Sequence, residues 1–369
     1  MNILMTAFEL ETFSGVPCFT RDLATALTAR GHRVAIHTLA KGAIARDIEA
    51  RDIAVVSDLG NLPFRPDIIH GQHQPALLNA LTRFEGVPAI FAIHDATQDM
   101  DAPLPLARIA RHVAVDRRCE ARIRACSAIP PARIAMICNA VDLNRFRARA
   151  PLPATPRRAL IFSNYAGRLT HMLPVLQACK SHGLDVDVVG SGVNRPAASP
   201  EDMLGGYDLV FAKARCALEA MATGTAVILC DFSGLGPMVS TKNLDALRPM
   251  NFGAGVLTGP LDAGAISGEI ARYDAADAAR VSARIRQEAS LDAAAEAWLS
   301  LYQDVLQDAA VSGTFEDRTL CREYQRRWRL RIVTAPVVSA LRRIRTVPVV
   351  GETLFFMMRR VWHAFIAGR

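Results

Sequence analysis

The sequence lacks the features of several protein classes. Its eight cysteines form no CxxC pair, so a zinc site is not indicated and reduced thiols are expected. No apolar run reaches 18 residues without interruption, although a membrane-spanning helix needs about that length. The first apolar stretch is broken by Glu9 and Glu11, and no basic region precedes it, unlike a secretory signal peptide. We therefore expect a cytoplasmic protein.

Lysine and glycine-rich motifs are also scarce. The chain has four lysines (41, 180, 213 and 242) against 39 arginines, so a lysine in a short loop stands out. Gly190-Ser191-Gly192 is only a fragment of the GxGxxG pattern, because Arg195 stands where its third glycine would be. The sequence therefore gives no support for a dinucleotide-binding site.

What the sequence does contain indicates a folded protein whose charge is uneven. Hydrophobic residues make up 51% and charged residues 21%, and the net charge is +7. Residues 320–369 carry eleven arginines and two glutamates, a net charge of +9 that exceeds the +7 of the whole chain. The remaining body is close to neutral, and this argues against a nucleic-acid partner.

Short apolar runs alternate with amphipathic segments along the first half. The pattern predicts strands over 2–5, 34–38, 53–56, 67–70 and 89–94, and a helix from Pro17 to Gly31. Strands that alternate with helices indicate βαβ units and a parallel sheet. The strands lack polar alternation, as is typical of a sheet covered on both faces.

A second α/β block follows the segment 145–156, which is rich in proline, alanine and arginine. The pattern predicts strands over 160–163, 186–190, 209–212 and 226–230, and helices over 169–182, 217–223 and, without a break, 276–309. A helix start is expected at Ser199-Pro200-Glu201-Asp202 and a loop at Gly234-Leu235-Gly236-Pro237. We predict domains at 1–145 and 157–312, an extension at 313–369, and ligands at the strand carboxyl ends.

Several glycines and histidines follow predicted strands. Ser14-Gly15 lies before the first helix, where glycine lets a ligand approach the backbone, although an ordinary turn explains it equally well. His94 ends a strand and is either a cleft residue or a structural histidine. His70 and His73 have HxxH spacing, but a third ligand is not evident, so a loop is favoured over a metal site.

Lys213 and Glu219 mark the most informative segment. Lys213 lies in a short loop between a strand and a helix, where a compact ammonium suits a pyrophosphate; a solvated surface lysine is the alternative. Glu219 in the following helix either complements the helix dipole or faces a cleft, because its flanking residues are small and apolar and would not shelter a carboxylate.

The order of these segments resembles the GT-B glycosyltransferases, and most closely the retaining enzymes of family four. The resemblance covers about 1–309. It rests on Ser14-Gly15 with the segment 23–34, on 66–73, on His94-Asp95, on Asn139-Ala140-Val141-Asp142, and most strongly on Glu219-Ala220-Met221-Ala222-Thr223-Gly224. It implies two Rossmann-like domains that face a central cleft, with a nucleotide-sugar donor on the second domain and an acceptor on the first.

The resemblance also implies roles for individual residues. Glu219 matches the glutamate that holds the ribose hydroxyls, and the backbone of Ala217 and Leu218 would face the diphosphate. Gly15 matches a glycine loop near the reacting sugar, and His94 matches a histidine that contacts that sugar. Such enzymes retain anomeric configuration without a bound metal, a cofactor or an obvious protein nucleophile, largely through positioning and electrostatics.

The sequence departs from the family pattern at two points. Many family members carry a second glutamate eight residues before the ribose glutamate, where Phe211 stands here. Arg168 matches the first member of an arginine–lysine pair, but Pro174 stands where the lysine is expected. We hypothesise that Lys213 and Arg215 supply the missing positive charge and that Gly190 also contributes to donor binding.

The basic extension suggests a second partner. Leu354, Met358, Val361 and Phe365 fall on one helical face near several arginines, a pattern typical of attachment to an anionic membrane surface. Packing of this helix across the first domain explains the pattern equally well.

Together these observations predict a retaining hexosyl- or related glycosyltransferase. It would act on a glycan or a lipid-linked acceptor in cell-surface polysaccharide assembly, either free in the cytoplasm or on the inner face of the membrane. Two alternatives stay open. A GT-B-fold nucleotide-sugar isomerase would need added acid/base groups in the cleft, and a non-catalytic nucleotide- or sugar-binding protein would be consistent with Phe211.

Overall fold

A computed structural model describes residues 1–308 and 318–328. The chain divides into two compact units, Met1–Gly313 and Thr314–Arg369. The first unit contains two sheets, and the described part of the second is a helix over 318–328. The face predicted to bind membranes, at 354–365, lies outside the described residues. Within the described ranges, none of the helices is long and apolar enough to cross a membrane.

The first sheet has seven parallel strands in the order β3-β2-β1-β4-β5-β6-β7. The order reverses between β1 and β4, which makes this edge a topological switch point. The elements are β1 (Asn2–Leu10), α1 (Gly15–Ala29), β2 (Arg33–Lys41), α2 (Ala43–Glu49), β3 (Ala54–Val56), β4 (Ile68–Gln72), α3 (Gln74–Arg83), β5 (Ala89–Ile93), β6 (Ile109–Ala114), α4 (Arg117–Arg124) and β7 (Ile134–Met136).

The second sheet has five strands in the order β12-β11-β10-β8-β9, and only β12 is antiparallel. Here the order reverses between β8 and β10. The elements are β8 (Arg158–Phe162), α5 (Met172–Ser181), β9 (Asp185–Val189), α6 (Glu201–Leu204), β10 (Leu209–Ala212), α7 (Ala214–Thr223), β11 (Ala226–Asp231), β12 (Gly234–Met238), α8 (Leu244–Leu247), α9 (Ala263–Ile270), α10 (Ala275–Glu288) and α11 (Leu291–Gln307).

The segment Gly234-Leu235-Gly236-Pro237 is not the predicted loop but part of the edge strand β12. It pairs with β11, with Gly234 opposite Asp231 and Met238 opposite Ile228. Glycine and proline are tolerated here because an edge strand does not need every amide in the ladder.

Two helix predictions also differ from the structure. The predicted helix 276–309 is interrupted, because α10 ends at Glu288 and Ser290 caps α11 by accepting from the Ala293 amide at 3.1 Å. The expected start at Ser199 yields only the four-residue α6, whose N-cap is Pro200 without a side-chain cap.

The last helix of the first unit completes the core of the first sheet. Ala295, Trp298, Leu299, Tyr302 and Val305 of α11 are buried in one hydrophobic cluster with side chains of β1, β2 and α1. Residues 291–305 therefore follow the second sheet in sequence but pack with the first sheet.

Candidate functional site

The predicted donor residues meet at the first turn of α7, which begins at Ala214 rather than at 217. Lys213 is the single residue between β10 and α7. The Ala214 amide donates to the Phe252 carbonyl at 2.7 Å, and the Ala217 amide donates to the Lys213 carbonyl at 3.4 Å. The amides of Arg215 and Cys216 have no acceptor in the described part of the chain, so these two amides point out of the helix start.

This geometry changes which amides could meet an anion. Ala217 and Leu218 are buried inside the helix, and the Ala217 amide already has an acceptor. The amides available at the helix start are therefore those of Arg215 and Cys216, which precede the residues that the resemblance implies.

Lys213 is held by residues that follow other strands of the second sheet. Its ammonium forms an ion pair with Asp231, at the end of β11, and lies 5.2 Å from the ring centroids of Tyr165 and Phe232. Asp231 is fully buried, and Ser163 Oγ lies 3.3 Å from its Oδ1. Lys213 thus has a fixed position, supported by an ion pair and two aromatic rings.

Behind Asp231 lies a histidine. His171 is fully buried, with Nδ1 at 3.8 Å from Asp231 Oδ1. Burial lowers the pKa of His171, although the negative charge of Asp231 opposes that effect. At neutral pH the charge of Asp231 is therefore balanced by Lys213 rather than by this imidazole.

Glu219 and Arg215 belong to a buried ion-pair network between the two sheets. Arg215 Nε lies 2.7 Å from Glu219 Oε1, and the same guanidinium pairs with Asp22 of α1. Asp22 also pairs with Arg21, at 2.7 Å, and with Arg145, at 3.2 Å. Three arginines therefore converge on one carboxylate that lies on the opposite side of the cleft from α7.

The pKa values of Asp22 and Glu219 are shifted in opposite directions by their surroundings. Burial alone would raise the pKa of Asp22, but the charges of Arg215 and Arg21 outweigh burial and hold that pKa below its usual value. The pKa of Glu219 is raised, because its burial outweighs the charge of Arg215. Asp22, rather than Glu219, is the more strongly stabilised anion.

Two cavities flank the first turn of α7. The Glu219 cavity, about 70 Å³, is lined from the first domain by Ser14 and Gly15 and from the second by Asn164, Cys216 and Glu219. Arg21, Arg145 and Arg215 complete its charged wall. Gly15 and Glu219, predicted from distant parts of the sequence, therefore face one space.

The second space, the Lys213 cavity, is larger, at about 370 Å³. Its lining from the first domain includes His94, Asp95 and Asp116, and its lining from the second includes Tyr165, Lys213, Phe232 and Asn251. His94 and Lys213 follow the carboxyl ends of strands in different sheets and meet here. The carboxyl edges of the two sheets therefore face one cleft.

His94 is a neutral imidazole at this site. Its ring packs edge-on against Phe19 at 4.8 Å between centroids. Burial, with smaller effects from His73 and His70, lowers its pKa to about 3. Its Nε2 is buried and meets no hydrogen-bond partner among the described residues. His94 can therefore offer one neutral hydrogen bond but does not act as a cation near pH 7.

The remaining predicted residues lie apart from the cleft lining. Gly190 has a φ of +152°, and a Cβ there would collide with the Ser163 carbonyl, so the backbone geometry accounts for this glycine. Arg168 is exposed. Neither residue lines the Glu219 cavity or the Lys213 cavity.

The HxxH histidines have structural partners. His70 Nδ1 lies 2.6 Å from the Tyr302 hydroxyl, and His73 Nδ1 accepts from the Phe8 amide at 3.3 Å. In the described ranges, no group of three or more His, Cys, Asp or Glu side chains is placed to hold a metal ion.

Phe211 is a buried residue of β10, not a cleft residue. It is 0% exposed and packs in the core of the second sheet. Only Lys213 joins β10 to α7. Phe211 therefore contributes to the core of the second sheet and not to the lining of either cavity.

Sequence reasoning missed Asp22, Asp231, Tyr165 and Phe232. Asp231 is the last residue of β11 and Phe232 follows it, while Tyr165 lies two residues beyond Ser163 after β8. The carboxyl ends of the strands were the available signal for these residues. Asp22 gave no such signal, because it lies within α1.

The two facing α/β sheets and the cleft between them have the GT-B fold. A sequence profile described as Glycosyltransferase Family 4 matches residues 13–145. This range includes Gly15, His94 and Arg145, and over these residues the match confirms the resemblance to family four found in the sequence.

Solved structures agree on the fold. A glycosyltransferase from Rickettsia africae ESF-5 superposes with a TM-score of 0.61 at 16% identity, covering 84% of this chain and 99% of that chain. Anabaena HepE, solved with UDP and glucose, gives 0.60 at 16% identity, covering 82% and 99%. Sucrose-phosphate synthase from Thermosynechococcus elongatus gives 0.55 at 15% identity, covering 84% and 100%. No curated protein matches the sequence.

Proposed function

We propose that the protein transfers a sugar from a nucleotide-sugar donor to an acceptor hydroxyl, with retention of anomeric configuration. The observation that carries this proposal is the order of groups around α7. The Glu219 cavity, the free amides of Arg215 and Cys216, and the Lys213 cavity follow one another. A nucleotide sugar has the same order of nucleoside, diphosphate and sugar.

The nucleoside belongs in the Glu219 cavity in this proposal. The contact with Arg215 uses only Oε1 of Glu219, so Oε2 can accept from ribose hydroxyls. The cavity, at about 70 Å³, is smaller than ligand sites of several hundred Å³. Donor binding therefore requires widening, and the ion pairs that Arg145 and Arg215 make with Asp22 are the contacts that must yield.

The diphosphate belongs at the start of α7. Two unused amides and the positive end of the helix dipole favour an anion there. Lys213, fixed by Asp231, adds a point charge on the side of the Lys213 cavity. Anabaena HepE, which has the same fold, was solved with UDP-glucose, and this supports a nucleotide-sugar donor here.

The reaction exchanges one bond at the anomeric carbon for another. The bond from the sugar C1 to the diphosphate oxygen breaks, and a bond from the acceptor oxygen to C1 forms on the same face. The acceptor proton passes to the departing phosphate. The helix start and Lys213 stabilise the charge that develops on the diphosphate, and the neutral His94 positions the sugar through a hydrogen bond.

The acceptor belongs on the first domain, and we propose a glycan or lipid-linked acceptor. This part of the proposal rests on the composition of 313–369, whose arginines suit an anionic membrane surface. Co-sedimentation of the full chain with vesicles of phosphatidylglycerol, but not with phosphatidylcholine vesicles, is expected. Equal partitioning with both vesicles would contradict the membrane role.

The donor is tested by a thermal-shift screen of the full chain against nucleoside diphosphates and nucleotide sugars. A rise in melting temperature with one base is expected. The matching nucleotide sugar is then incubated with a cell-derived acceptor pool, and the anomeric configuration of the product is read by NMR. A product with inverted configuration contradicts retention, a rearranged nucleotide sugar without acceptor indicates an isomerase, and binding without turnover indicates a non-catalytic protein.

A further inference from the structure

Two exposed aromatic side chains stand side by side on the lining of the Lys213 cavity. Tyr165 is 57% exposed and Phe232 is 49% exposed. Their ring centroids are 5.1 Å apart, with an interplanar angle of 55°. Both lie in short connections that follow strands, Tyr165 after β8 and Phe232 after β11. Large rings that remain half in solvent at a cleft are more informative than isolated surface residues.

The contact with Lys213 covers only part of the surface of the Tyr165 and Phe232 rings. The ammonium lies 5.2 Å from each centroid, but it already has an ion-pair partner in Asp231. About half of each aromatic side chain remains accessible in the presence of that lysine. The pair therefore presents apolar surface to the cavity, next to a fixed cation.

The position of Tyr165 and Phe232 indicates which part of a bound nucleotide sugar they would contact. The Lys213 cavity lies beyond the start of α7 from the Glu219 cavity. If the ribose is held by Glu219 and the diphosphate by the helix start, the group beyond the diphosphate enters the space beside Tyr165 and Phe232. Both rings follow strands of the second sheet, and Glu219 and Lys213 also come from the elements around that sheet.

We propose that Tyr165 and Phe232 form a platform for the pyranose ring of the donor sugar. The inference rests on the proposed function. A pyranose has a face rich in C–H groups, which packs on the electron-rich face of an aromatic ring, while its hydroxyls project sideways. Polar cavity residues such as Thr97, Ser233 and Asn251 are available for those hydroxyls.

The test separates the sugar from the nucleotide. Dissociation constants are measured by calorimetry on the full chain for three matched pairs: UDP with UDP-glucose, GDP with GDP-mannose, and dTDP with dTDP-glucose. The pair that the wild type binds most tightly is used for the variants. In Tyr165→Leu and Phe232→Leu, the constant for the nucleotide sugar is expected to rise about 5- to 10-fold each, and the constant for the diphosphate to stay within about twofold.

Three variants control for other effects. Tyr165→Phe keeps the ring and removes the hydroxyl, so the wild-type affinity for the nucleotide sugar is expected. Leu173→Ala removes an exposed apolar side chain of the same domain that does not line the cavity, and no change is expected. The double variant Tyr165→Leu/Phe232→Leu should lose more affinity than either single variant and keep the wild-type melting temperature.

Each other outcome overturns a defined part of the argument. Equal losses for the diphosphate and the nucleotide sugar would show that the rings act on the base or through Lys213. Unchanged donor affinity with a raised KM for the acceptor would place the acceptor on the rings. Unchanged donor affinity in all variants would remove the platform altogether. Failure of the wild type to bind any of the three pairs would overturn the proposed function itself.

Discussion

The Glu219 cavity and the Lys213 cavity share one helix turn but are held together in different ways. Around the Glu219 cavity, buried and partly buried arginines of both domains converge on the buried carboxylate of Asp22. Around the Lys213 cavity, one ion pair and two half-exposed rings come from the second domain alone. Access to the Glu219 cavity is therefore coupled to the ion pairs that join the two domains. The residues that hold Lys213 can be substituted without breaking those ion pairs.

Removal of Asp22 should break the comparison most severely. In Asp22→Ala, the buried guanidinium of Arg21 and the partly buried ones of Arg145 and Arg215 lose a shared partner, and we expect the free energy of unfolding to fall by about 3–5 kcal/mol. Chemical denaturation followed by circular dichroism measures the change. The matched control is Asp292→Ala, which breaks an exposed pair with Arg30 and should cost less than about 1 kcal/mol. Equal losses in both variants would show that burial of the network has no energetic consequence.

Donor-binding variants should separate the two cavities by ligand. Glu219→Ala is expected to weaken binding of both a nucleoside and its diphosphate, because the ribose contact is lost. Lys213→Ala should weaken binding of the nucleoside diphosphate and leave binding of the nucleoside unchanged. Each loss should be about 10- to 100-fold, the value of a hydrogen bond to a charged group. Calorimetry with uridine and UDP, or with the base selected by the screen, measures both; wild-type affinity in both variants would contradict the site.

His94 lines the Lys213 cavity, and its titration should make the free energy of unfolding depend on pH. Its folded pKa of about 3 lies below the ordinary value of about 6.5. The unfolded chain is therefore protonated first, and stability is lost as pH falls from 6.5 toward 3. At pH 5 the loss from this residue is about 2 kcal/mol.

The variant His94→Gln lacks this titration. Between pH 7.5 and pH 5 it should lose about 2 kcal/mol less unfolding free energy than the wild type, as measured by urea denaturation at both pH values. The slopes contributed by His70 and His73 should remain. Identical losses in variant and wild type would show that His94 is not the buried neutral group described here.

Gly15→Ala should produce the smallest change in stability. A Cβ at Gly15 meets no atom within 4 Å, so the unfolding free energy is expected to stay within about 0.5 kcal/mol of wild type. Gly190→Ala is the contrasting variant, because its Cβ would collide with the Ser163 carbonyl and should destabilise the second domain. Thermal unfolding of both variants checks the difference. A large loss in Gly15→Ala would mean that this glycine is required by the fold rather than by a ligand.

Sequence patterns predicted the main strands because buried parallel strands are continuous apolar runs. They did not reveal β6, where Arg111 and His112 interrupt the run, or β12, where glycines and Pro237 read as a loop. Both strands are recognised only through pairing with a neighbour. These segments form strands because they pair with neighbouring strands, although their local sequence does not favour a strand.

The candidate site was predictable where a residue follows a strand. Gly15 and His94 do so, Lys213 joins β10 to α7, and Glu219 lies in α7 just beyond that junction. The charge network was not predictable, because Asp22 lies inside a helix and its partners Arg145 and Arg215 are 123 and 193 residues away in the sequence. Only the fold brings these charges together, and a single sequence has no local signal for such a contact.

The packing of α11 has a consequence for synthesis on the ribosome. The first sheet is complete once Met136 has been made, but its core also contains Trp298 and Tyr302. At 5–20 residues per second, roughly 10 to 30 s separate these two parts of the chain. During that interval the nascent first domain exposes the apolar surface that α11 later covers, and it is a ready substrate for chaperones while the second domain is being translated.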